Sequence, residues 1–117
     1  MMNEALKFGI RQSFNNLITY IHNTSVNNGF WEQGANRNKG ECLALIHAEI
    51  SEALEGLRED NLKDKHLPKY LSVEVELADA IIRILDMAHG YNYNIIDALI
   101  DKVEYNSTRE YMHGKQF

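Results

Sequence analysis

Two pairs of acidic residues, each three positions apart, are the strongest candidates for chemistry in this sequence. The first pair is Glu49 and Glu52, and the second is Glu76 and Asp79. On an α-helix, residues three apart are neighbours on one face, so both carboxylates of a pair can project towards one point. Two such helices, antiparallel across a helical core, would bring up to four negative charges together. A hard divalent cation neutralises such a cluster, and oxygen ligands favour Mg²⁺ or Mn²⁺ over Zn²⁺.

Acidic pairs at this spacing also occur by chance on solvated helices, so neither pair alone identifies a metal site. The second pair is the stronger signal, because Glu76 and Asp79 belong to a segment that is apolar on several faces from Leu77 to Ala88. Unpaired carboxylates are costly in such surroundings. We therefore interpret the four carboxylates as the ligands of one divalent-metal site.

A second polar pattern lies near the end of the sequence, at intervals of four, three and four residues. These intervals predict that its members share one face of a helix. Cations and amide donors along a helix face can bind phosphate oxygens. The alternative, a solvated polar face beside Glu104 and Glu110, explains the pattern equally well. The residues concerned are Lys102, Asn106, Arg109 and His113.

Apolar residues at steps of three and four predict four helices that position these side chains. Glycine and asparagine predict where the first helix stops, because both tolerate the left-handed conformation at a helix end. The segment 59–71 is rich in charged residues and contains Pro68, which predicts a solvated connection. Helix one carries its apolar stripe from Leu6 to Ile21 and ends by 27–29, helix two runs from Glu41 to Arg58, helix three from an N-cap near Ser72 to about Gly90, and helix four from Asn94 or Ile95 towards Arg109, with a less regular tail from Tyr111 to Phe117.

The loop predicted between helices one and two, from Phe30 to Gly40, combines flat apolar side chains with positive charge. Phe30 and Trp31 are adjacent, and Arg37 and Lys39 follow among asparagines and glycines. This combination suits a nucleotide, and Trp31 is a candidate for stacking on the base, since every base offers a π face. The alternative is that Trp31 belongs to the core.

The composition favours one all-α domain over residues 1–117. A chain of 117 residues fits a single core, and one proline and seven glycines leave few helix breakers. Hydrophobic residues make up 44% and charged residues 25%, as in globular proteins. Because the third helix is apolar on several faces, we expect a four-helix bundle-like core that is completed by homo-oligomerisation, as a homodimer or a homotetramer.

Charge and cysteine content restrict the partners and the compartment. The formal net charge of -5 argues against a nucleic-acid duplex as partner, because duplex-binding proteins usually carry a basic face. Cys42 is the only cysteine, so an intrachain disulfide is impossible. The first residues contain neither a signal peptide nor a membrane span that can be recognised. We therefore expect a cytoplasmic protein with no membrane partner.

Taken together, these motifs resemble those of the MazG-like, all-α nucleoside triphosphate pyrophosphohydrolases, a superfamily that includes dimeric dUTPases. The resemblance spans most of the chain. The runs LALIHAEISEALEGLR and VEVELADAIIRILDMA hold the two acidic pairs and look like the family's ExxE and ExxD signature. The run KVEYNSTREYMHGKQF resembles the stretch that follows the metal helices in many members, and GFWEQG is similar to a loop of the nucleobase pocket.

The resemblance implies Mg²⁺-dependent hydrolysis of a nucleoside triphosphate between the α and β phosphates, giving a nucleoside monophosphate and pyrophosphate. Metal at the four carboxylates would neutralise the phosphates and lower the pKa of a bound water. Trp31 would stack on the base. Lys102 and Arg109 would hold the polyphosphate chain, Asn106 would bond to a phosphate or sugar oxygen, and His113 completes the substrate-binding set.

One departure from the family pattern concerns the general base. Many members carry two adjacent glutamates at the start of the first motif, whereas here Ala48 precedes Glu49. A metal-binding glutamate could serve also as the base, the metal alone could generate hydroxide, or Glu55 could help one turn further along. We expect Glu49 or Glu52 to be the catalytic base.

Two other interpretations compete with the hydrolase. A di-iron carboxylate protein of the ferritin type also sets acids in a four-helix core, and Asp86 with His89 or Glu110 with His113 has the required spacing. Neither pair explains the two acidic motifs. A non-catalytic helical interaction module would leave the acidic pairs solvated and would use the apolar third helix as a seam between subunits.

Overall fold

The computed structural model describes residues 1–60 and 62–116 as an all-helical chain. Within these ranges no β-strand forms, and Lys63 and Leu71 make only an isolated bridge. The prediction of an all-α fold is therefore confirmed. The four helices are α1 (Glu4–Asn27), α2 (Lys39–Arg58), α3 (Ser72–Gly90) and α4 (Ile95–Ser107), with short 3₁₀ turns at Gly34–Asn36 and Tyr111–Gly114.

Asparagine side chains set the starts of the first two helices. The Oδ1 atom of Asn3 accepts a hydrogen bond from the N–H of Leu6 at 2.8 Å, and Oδ1 of Asn38 accepts one from the N–H of Glu41 at 2.9 Å. These bonds satisfy N–H groups that have no partner within the first helical turn. For this reason α2 begins at Lys39, two residues before its predicted start.

Helix α3 begins at Ser72, and Leu71 occupies the N-cap position. The prediction of Ser72 as the N-cap was therefore wrong by one residue. The carboxylate of Glu74 accepts a hydrogen bond from the backbone N–H of Leu71 at 3.0 Å, which ties the chain back onto the first turn. At the end of α1, Gly29 adopts a φ of 89° and turns the chain into the following loop, as predicted.

Helix α4 is shorter than predicted and ends at Ser107. The hydroxyl of Thr108 donates to the backbone oxygen of Tyr105 at 2.7 Å, so side chains satisfy the last carbonyls in place of a further helical turn. Met112 and His113 then adopt φ values of 51° and 54°. The prediction of one helical face that continues through Arg109 and His113 is therefore wrong. Phe117, in the predicted tail, lies outside the described residues.

Helices α2 and α3 form an antiparallel pair, because residues late in α2 contact residues early in α3. Gly56 near the end of α2 lies against Ser72 at the start of α3. Glu49, about two turns before Gly56, bonds to Arg83 further along α3. A Cβ atom at Gly56 would be 3.0 Å from the Ser72 hydroxyl, so glycine permits the close approach of the two helices.

The buried core joins α1, α3 and α4. Its edge is closed by two ion pairs between α1 and α4, Arg11 with Asp97 at 2.7 Å and Lys7 with Glu104 at 2.8 Å. The Arg11 guanidinium holds the pKa of Asp97 below its ordinary value, and the Lys7 ammonium does the same for Glu104. The buried cluster itself consists of Ile18, Leu85, Ile96 and Ile100.

The chain is more extended than a compact domain of its length. Its radius of gyration is 16.7 Å, whereas about 13 Å is expected for a compact domain of this size. Eight large apolar side chains of α2 and α3 are between 39% and 54% exposed: Leu43, Ile50, Leu54, Leu57, Leu77, Ile81, Ile82 and Ile84. None of the helices in the described ranges combines the length and the apolar character needed to cross a bilayer.

Candidate metal centre

Three of the four predicted metal ligands converge where α2 passes α3. Carboxylate oxygens of Glu49, Glu76 and Asp79 all lie within 4.8 Å of one another. Glu76 and Asp79 are one turn apart on α3, and the antiparallel packing brings Glu49 of α2 to the same point. Glu49 is only 8% exposed, and the other two residues are partly buried. The helical spacing read from the sequence thus corresponds to a real cluster of side chains.

Glu52, the fourth predicted ligand, borders this cluster from the next turn of α2. It is an exposed residue, and its carboxyl group is hydrogen-bonded to that of Glu76, as is the carboxyl group of Glu49. Burial, together with these two hydrogen bonds, raises the pKa of Glu76 from 4.5 to about 8. Glu76 therefore keeps a proton at neutral pH when no cation is present.

Arg83 is the one cation that the described part of the chain bonds to this cluster. Its Nε atom donates to Oε1 of Glu49 at 2.9 Å. Burial and the nearby charge of Glu49 raise the pKa of Asp79, while the charge of Arg83 lowers it. One guanidinium beside four carboxyl groups leaves negative charge uncompensated, which agrees with the raised pKa of Glu76.

A hollow of about 220 Å³ opens beside Glu49 and Asp79, and we call it the arginine hollow. It brings carboxylates, two guanidinium groups and apolar side chains to one place. Such a mixture suits a ligand that has both a charged and a flat apolar part. Its walls include Phe30 and Arg37 of the loop between α1 and α2, Ile21 of α1, and Ile82 and Arg83 of α3.

A second hollow, of about 360 Å³, borders Glu52 and Glu76, and we call it the lysine hollow. The connection between α2 and α3 contributes Lys63, Lys65 and His66 to its wall. The predicted solvated connection, apart from Asn61, which lies outside the described residues, thus reaches the carboxylate cluster. Positive charge from this connection is available beside the acidic residues.

Trp31 is buried in the structure, which agrees with the interpretation of this residue as part of the core. The residue is 9% exposed, and its indole N–H donates to both carboxylate oxygens of Asp86, at 3.1 and 3.0 Å. Gly90 makes room for the ring, because a Cβ atom there would lie 2.1 Å from Cη2 of Trp31. Stacking of Trp31 on a base stays a prediction and would require the ring to leave this position.

Asp86 is a buried acid that sequence analysis did not place in this role. It is 8% exposed, and the hydroxyl of Ser25 donates to it at 2.7 Å. Nδ1 of His22 lies 2.8 Å from its Oδ1 atom, and Nη1 of Arg37 lies 3.9 Å from Oδ2. An acid within the apolar run ILDMA was the available signal, because such an acid needs donors.

The C-terminal candidates gather around Tyr105 instead of the carboxylates. Nζ of Lys102 lies 4.8 Å from the Tyr105 ring centre, and Cζ of Arg109 lies 5.6 Å from it. Arg109 and His113 line a separate hollow with Tyr105, and Oδ1 of Asn106 is buried without a hydrogen-bond partner among the described residues. None of the four lines the arginine or the lysine hollow. Their binding of phosphate stays a prediction.

Arg83 and Arg37 are site residues that the predicted set did not include. Arg83 follows Asp79 by four residues, one helical turn, so its position beside the cluster could have been inferred from spacing. Arg37 was noted only as a positive charge in a loop. Helical periodicity does not indicate where a loop residue lies.

Comparisons of the chain with protein-family models, curated proteins and solved structures find no match. The resemblance to MazG-like pyrophosphohydrolases therefore rests on the residues quoted above. Any function has to be inferred from the site itself, because a helical fold alone is compatible with many functions.

Proposed function

We propose that the protein is a Mg²⁺-dependent nucleoside triphosphate pyrophosphohydrolase that cleaves (d)NTP between the α and β phosphates. The observation that carries this proposal is the convergence of Glu49, Glu76 and Asp79, with the Glu52 carboxyl hydrogen-bonded to Glu76. This donor set consists of oxygen atoms only, which fits Mg²⁺ or Mn²⁺ better than Zn²⁺. Free nucleoside triphosphates are cytoplasmic metabolites, so the proposal includes a cytoplasmic location.

The four carboxylates would hold the metal, whose chemistry there is neutralisation of phosphate charge and a lowered pKa of bound water. Glu49 is buried and bonded to Arg83, so its orientation is fixed. Glu52 is exposed and can face a water molecule. Glu52 is therefore the better candidate for the general base, and Glu49 is the better candidate for holding the cation.

Recognition of the nucleotide is assigned to the arginine hollow. Phe30 and Ile82 offer apolar surface to a base, and Arg37 and Arg83 offer guanidinium groups to phosphate oxygens. The binding role proposed for Lys102, Asn106, Arg109 and His113 requires that these residues reach the same nucleotide, from this chain or from a second copy.

We further propose that two copies associate through the outer faces of α2 and α3. On α2 the exposed side chains of Leu43, Ile50, Leu54 and Leu57 follow the spacing of a coiled-coil seam. Projected on helical wheels, this stripe and that of α3 lie on one side of the antiparallel pair, and the acidic cluster lies on the other. A second antiparallel pair would complete a four-helix bundle.

The self-association is tested by light scattering of the eluted protein after gel filtration. A homodimer is expected, and Leu54→Glu is expected to give monomer because it places a charge in the apolar seam. Val26→Glu on α1, where the native side chain is 46% exposed, is the matched control and should leave the dimer intact. A monomeric wild-type protein would contradict the proposed dimer.

The enzymatic proposal is tested with a panel of canonical, deoxy and modified nucleoside triphosphates in the presence of Mg²⁺. Pyrophosphate and a nucleoside monophosphate are the expected products, and release of orthophosphate with a diphosphate would refute the cleavage position. Mg²⁺ should also raise the melting temperature by mass action. No shift with Mg²⁺ or Mn²⁺, with or without nucleotide, would refute the metal site.

The competing interpretations make different predictions in these assays. A di-iron site gains little support: the ring centres of His22 and His89 lie 4.5 Å apart with the planes tilted by 46°, and Nδ1 of His22 is occupied by its contact with Asp86. In the described ranges the metal-compatible cluster contains carboxylates only. Iron-dependent colour and oxygen uptake would favour the di-iron protein. A dimer that neither responds to metal nor hydrolyses any triphosphate would favour the non-catalytic interaction module, which the exposed apolar faces also support.

A further inference from the structure

We propose that Asp86 is a positioning residue that fixes residues 28–38, which we call the α1–α2 loop, against α3. Through this loop Asp86 holds Phe30 and Arg37 at the wall of the arginine hollow. The proposal rests on the proposed function, because the arginine hollow is where the nucleotide is expected to bind. The resemblance to known hydrolases assigns no role to Asp86.

Asp86 receives hydrogen bonds from separate segments of the chain. Ser25 on α1 donates to Oδ2 at 2.7 Å, and the indole N–H of Trp31 in the loop donates to the same atom at 3.0 Å. Nδ1 of His22, also on α1, lies 2.8 Å from Oδ1. A single buried carboxylate therefore ties α1 and the loop to α3, and charge-assisted hydrogen bonds of this kind are the strong ones.

Arg37 is held in place from several sides. Its Nη1 atom lies 3.9 Å from Asp86, and its Cζ atom lies 4.8 Å from the Trp31 ring centre and 5.8 Å from that of Phe30. The hydroxyl of Tyr91, which follows α3, donates to the backbone oxygen of Arg37 at 2.5 Å. The side chain of Arg37 is 16% exposed. The guanidinium is therefore oriented before any ligand arrives.

Two of the residues held in this way, Phe30 and Arg37, also line the arginine hollow. If Asp86 loses its charge, the buried guanidinium loses its counter-charge and the donors lose a strong acceptor. The loop is then expected to loosen. The carboxylate cluster is bonded to a different arginine, Arg83. Loss of the Asp86 charge should therefore weaken nucleotide binding and leave Mg²⁺ binding intact.

The experiment compares Asp86→Asn with the matched control Asp97→Asn. The control also removes an ion pair with α1, but its partner Arg11 lies in the first half of that helix, away from the α1–α2 loop. Trp31 is the only tryptophan, so its fluorescence reports the loop directly. In Asp86→Asn we expect emission at longer wavelength and stronger quenching by acrylamide. The melting-temperature shift with Mg²⁺ alone should persist. KM for the best triphosphate should rise about tenfold while kcat changes little, as for loss of one charged contact.

Each outcome bears on a different step. Unchanged emission and quenching in Asp86→Asn would overturn the anchoring, and a loosened loop with unchanged KM would overturn the link to the substrate. Binding of α,β-methylene ATP and α,β-imido dUTP, measured by calorimetry with Mg²⁺, does not depend on turnover. If the wild-type protein neither hydrolyses triphosphates nor binds these analogues, the proposed function and the link to substrate both fail, while Trp31 emission still decides the anchoring.

Ser25→Ala covers the case in which Asp86→Asn does not fold. It removes one donor and keeps the carboxylate, so a smaller shift in Trp31 emission and a smaller rise in KM are expected. Thr24→Ala, on the neighbouring wall position of the same hollow, is its control and should leave the emission unchanged. Equal emission from the Ser25→Ala and wild-type proteins would again overturn the anchoring.

Discussion

Helix α3 carries two carboxylate sites that lie two turns apart and differ in their donors. At Asp86, a hydroxyl and an indole N–H donate hydrogen bonds, and imidazole and guanidinium nitrogens lie nearby. At Glu76 and Asp79, the nearest polar groups include the carboxyls of Glu49 and Glu52. Both sites are at least partly buried, so desolvation acts on both. Among the described residues, Asp86 has several donors and cations around it, whereas one cation, Arg83, is bonded to the acidic cluster.

The comparison separates a carboxylate that receives hydrogen bonds from several segments of the chain from carboxylates that face one another. A buried acid with several hydrogen-bond donors around it joins the segments that supply those donors. In the acidic cluster, burial and the neighbouring carboxyls of Glu49 and Glu52 together raise the pKa of Glu76 to about 8. Substitutions in the acidic cluster should therefore cause the larger loss of activity, and substitution of Asp86 should cause the larger loss of stability.

The largest difference is expected in turnover. Asp79→Asn removes one of the proposed metal ligands and should lower kcat/KM at least about 100-fold, because even indirect supports of a metal contribute up to that factor. Asp101→Asn, an exposed acid of α4, is the matched control and should retain activity. Both are measured by pyrophosphate release. Full activity of Asp79→Asn with an intact helical circular dichroism spectrum would mean that the metal site is misplaced.

The next largest difference is expected in the free energy of unfolding without metal. Asp86→Asn should lower it by about 3 kcal/mol, because buried donors and a guanidinium lose their charged partner. Glu76→Gln should raise it instead, since the unfolded wild-type chain has released the Glu76 proton at pH 7 and must take it up again to fold, whereas the amide does not ionise in either state. Urea denaturation at pH 7 measures both. Similar losses in the two variants would contradict the distinction between the sites.

A smaller effect is expected where the Asp86 site meets the end of α3. In Gly90→Ala, the new Cβ would lie 2.1 Å from Cη2 of Trp31, so the indole must move. Overpacking of this kind costs about 1–3 kcal/mol. Trp31 emission and urea denaturation measure the change, and Gly9→Ala is the control, because no atom lies within 4 Å of a Cβ at Gly9. Unchanged emission in Gly90→Ala would show that the ring is not held there.

The two sites also differ in how far the sequence predicted them. The acidic cluster could be predicted because its members follow helical periodicity on two consecutive helices, and antiparallel packing of those helices brings the two acidic pairs together. The Asp86 site combines α1, a loop and α3, and its partners His22, Ser25 and Trp31 are 55 to 64 residues away in sequence. Periodicity contains no information about such pairs.

The ends of the helices were also hard to predict, because single side chains determine where a helix begins and ends. Asn38 starts α2 two residues early, and Thr108 ends α4 before Arg109, although the four-three-four spacing continues to His113. A pattern of spacing predicts a shared face only if the backbone stays helical, and here hydroxyl groups near the end of α4 satisfy its last carbonyls.

The last expected effect is a pH dependence of stability in the metal-free protein. Glu76 has an ordinary pKa of 4.5 in the unfolded chain and a pKa of about 8 in the folded protein. Below pH 4.5 both states hold the proton. Between pH 4.5 and 8 the unfolded chain releases it and the folded protein keeps it, so the free energy of unfolding falls as the pH rises. Above about pH 8 the two states no longer differ at this group.

The difference between wild type and Glu76→Gln isolates this contribution, because all other titrating groups are common to both proteins. Asp97 and Glu104 act in the opposite sense, since their pKa values are lowered and the stability they contribute is lost at acidic pH. Urea denaturation at half-unit steps from pH 5 to 9 should therefore show a wild-type curve that declines relative to Glu76→Gln. Saturating Mg²⁺ should remove or reverse the decline, because a bound cation takes the place of the proton. A difference that does not change with pH would mean that Glu76 is ionised at neutral pH, and the contrast with Asp86 would then lose its basis.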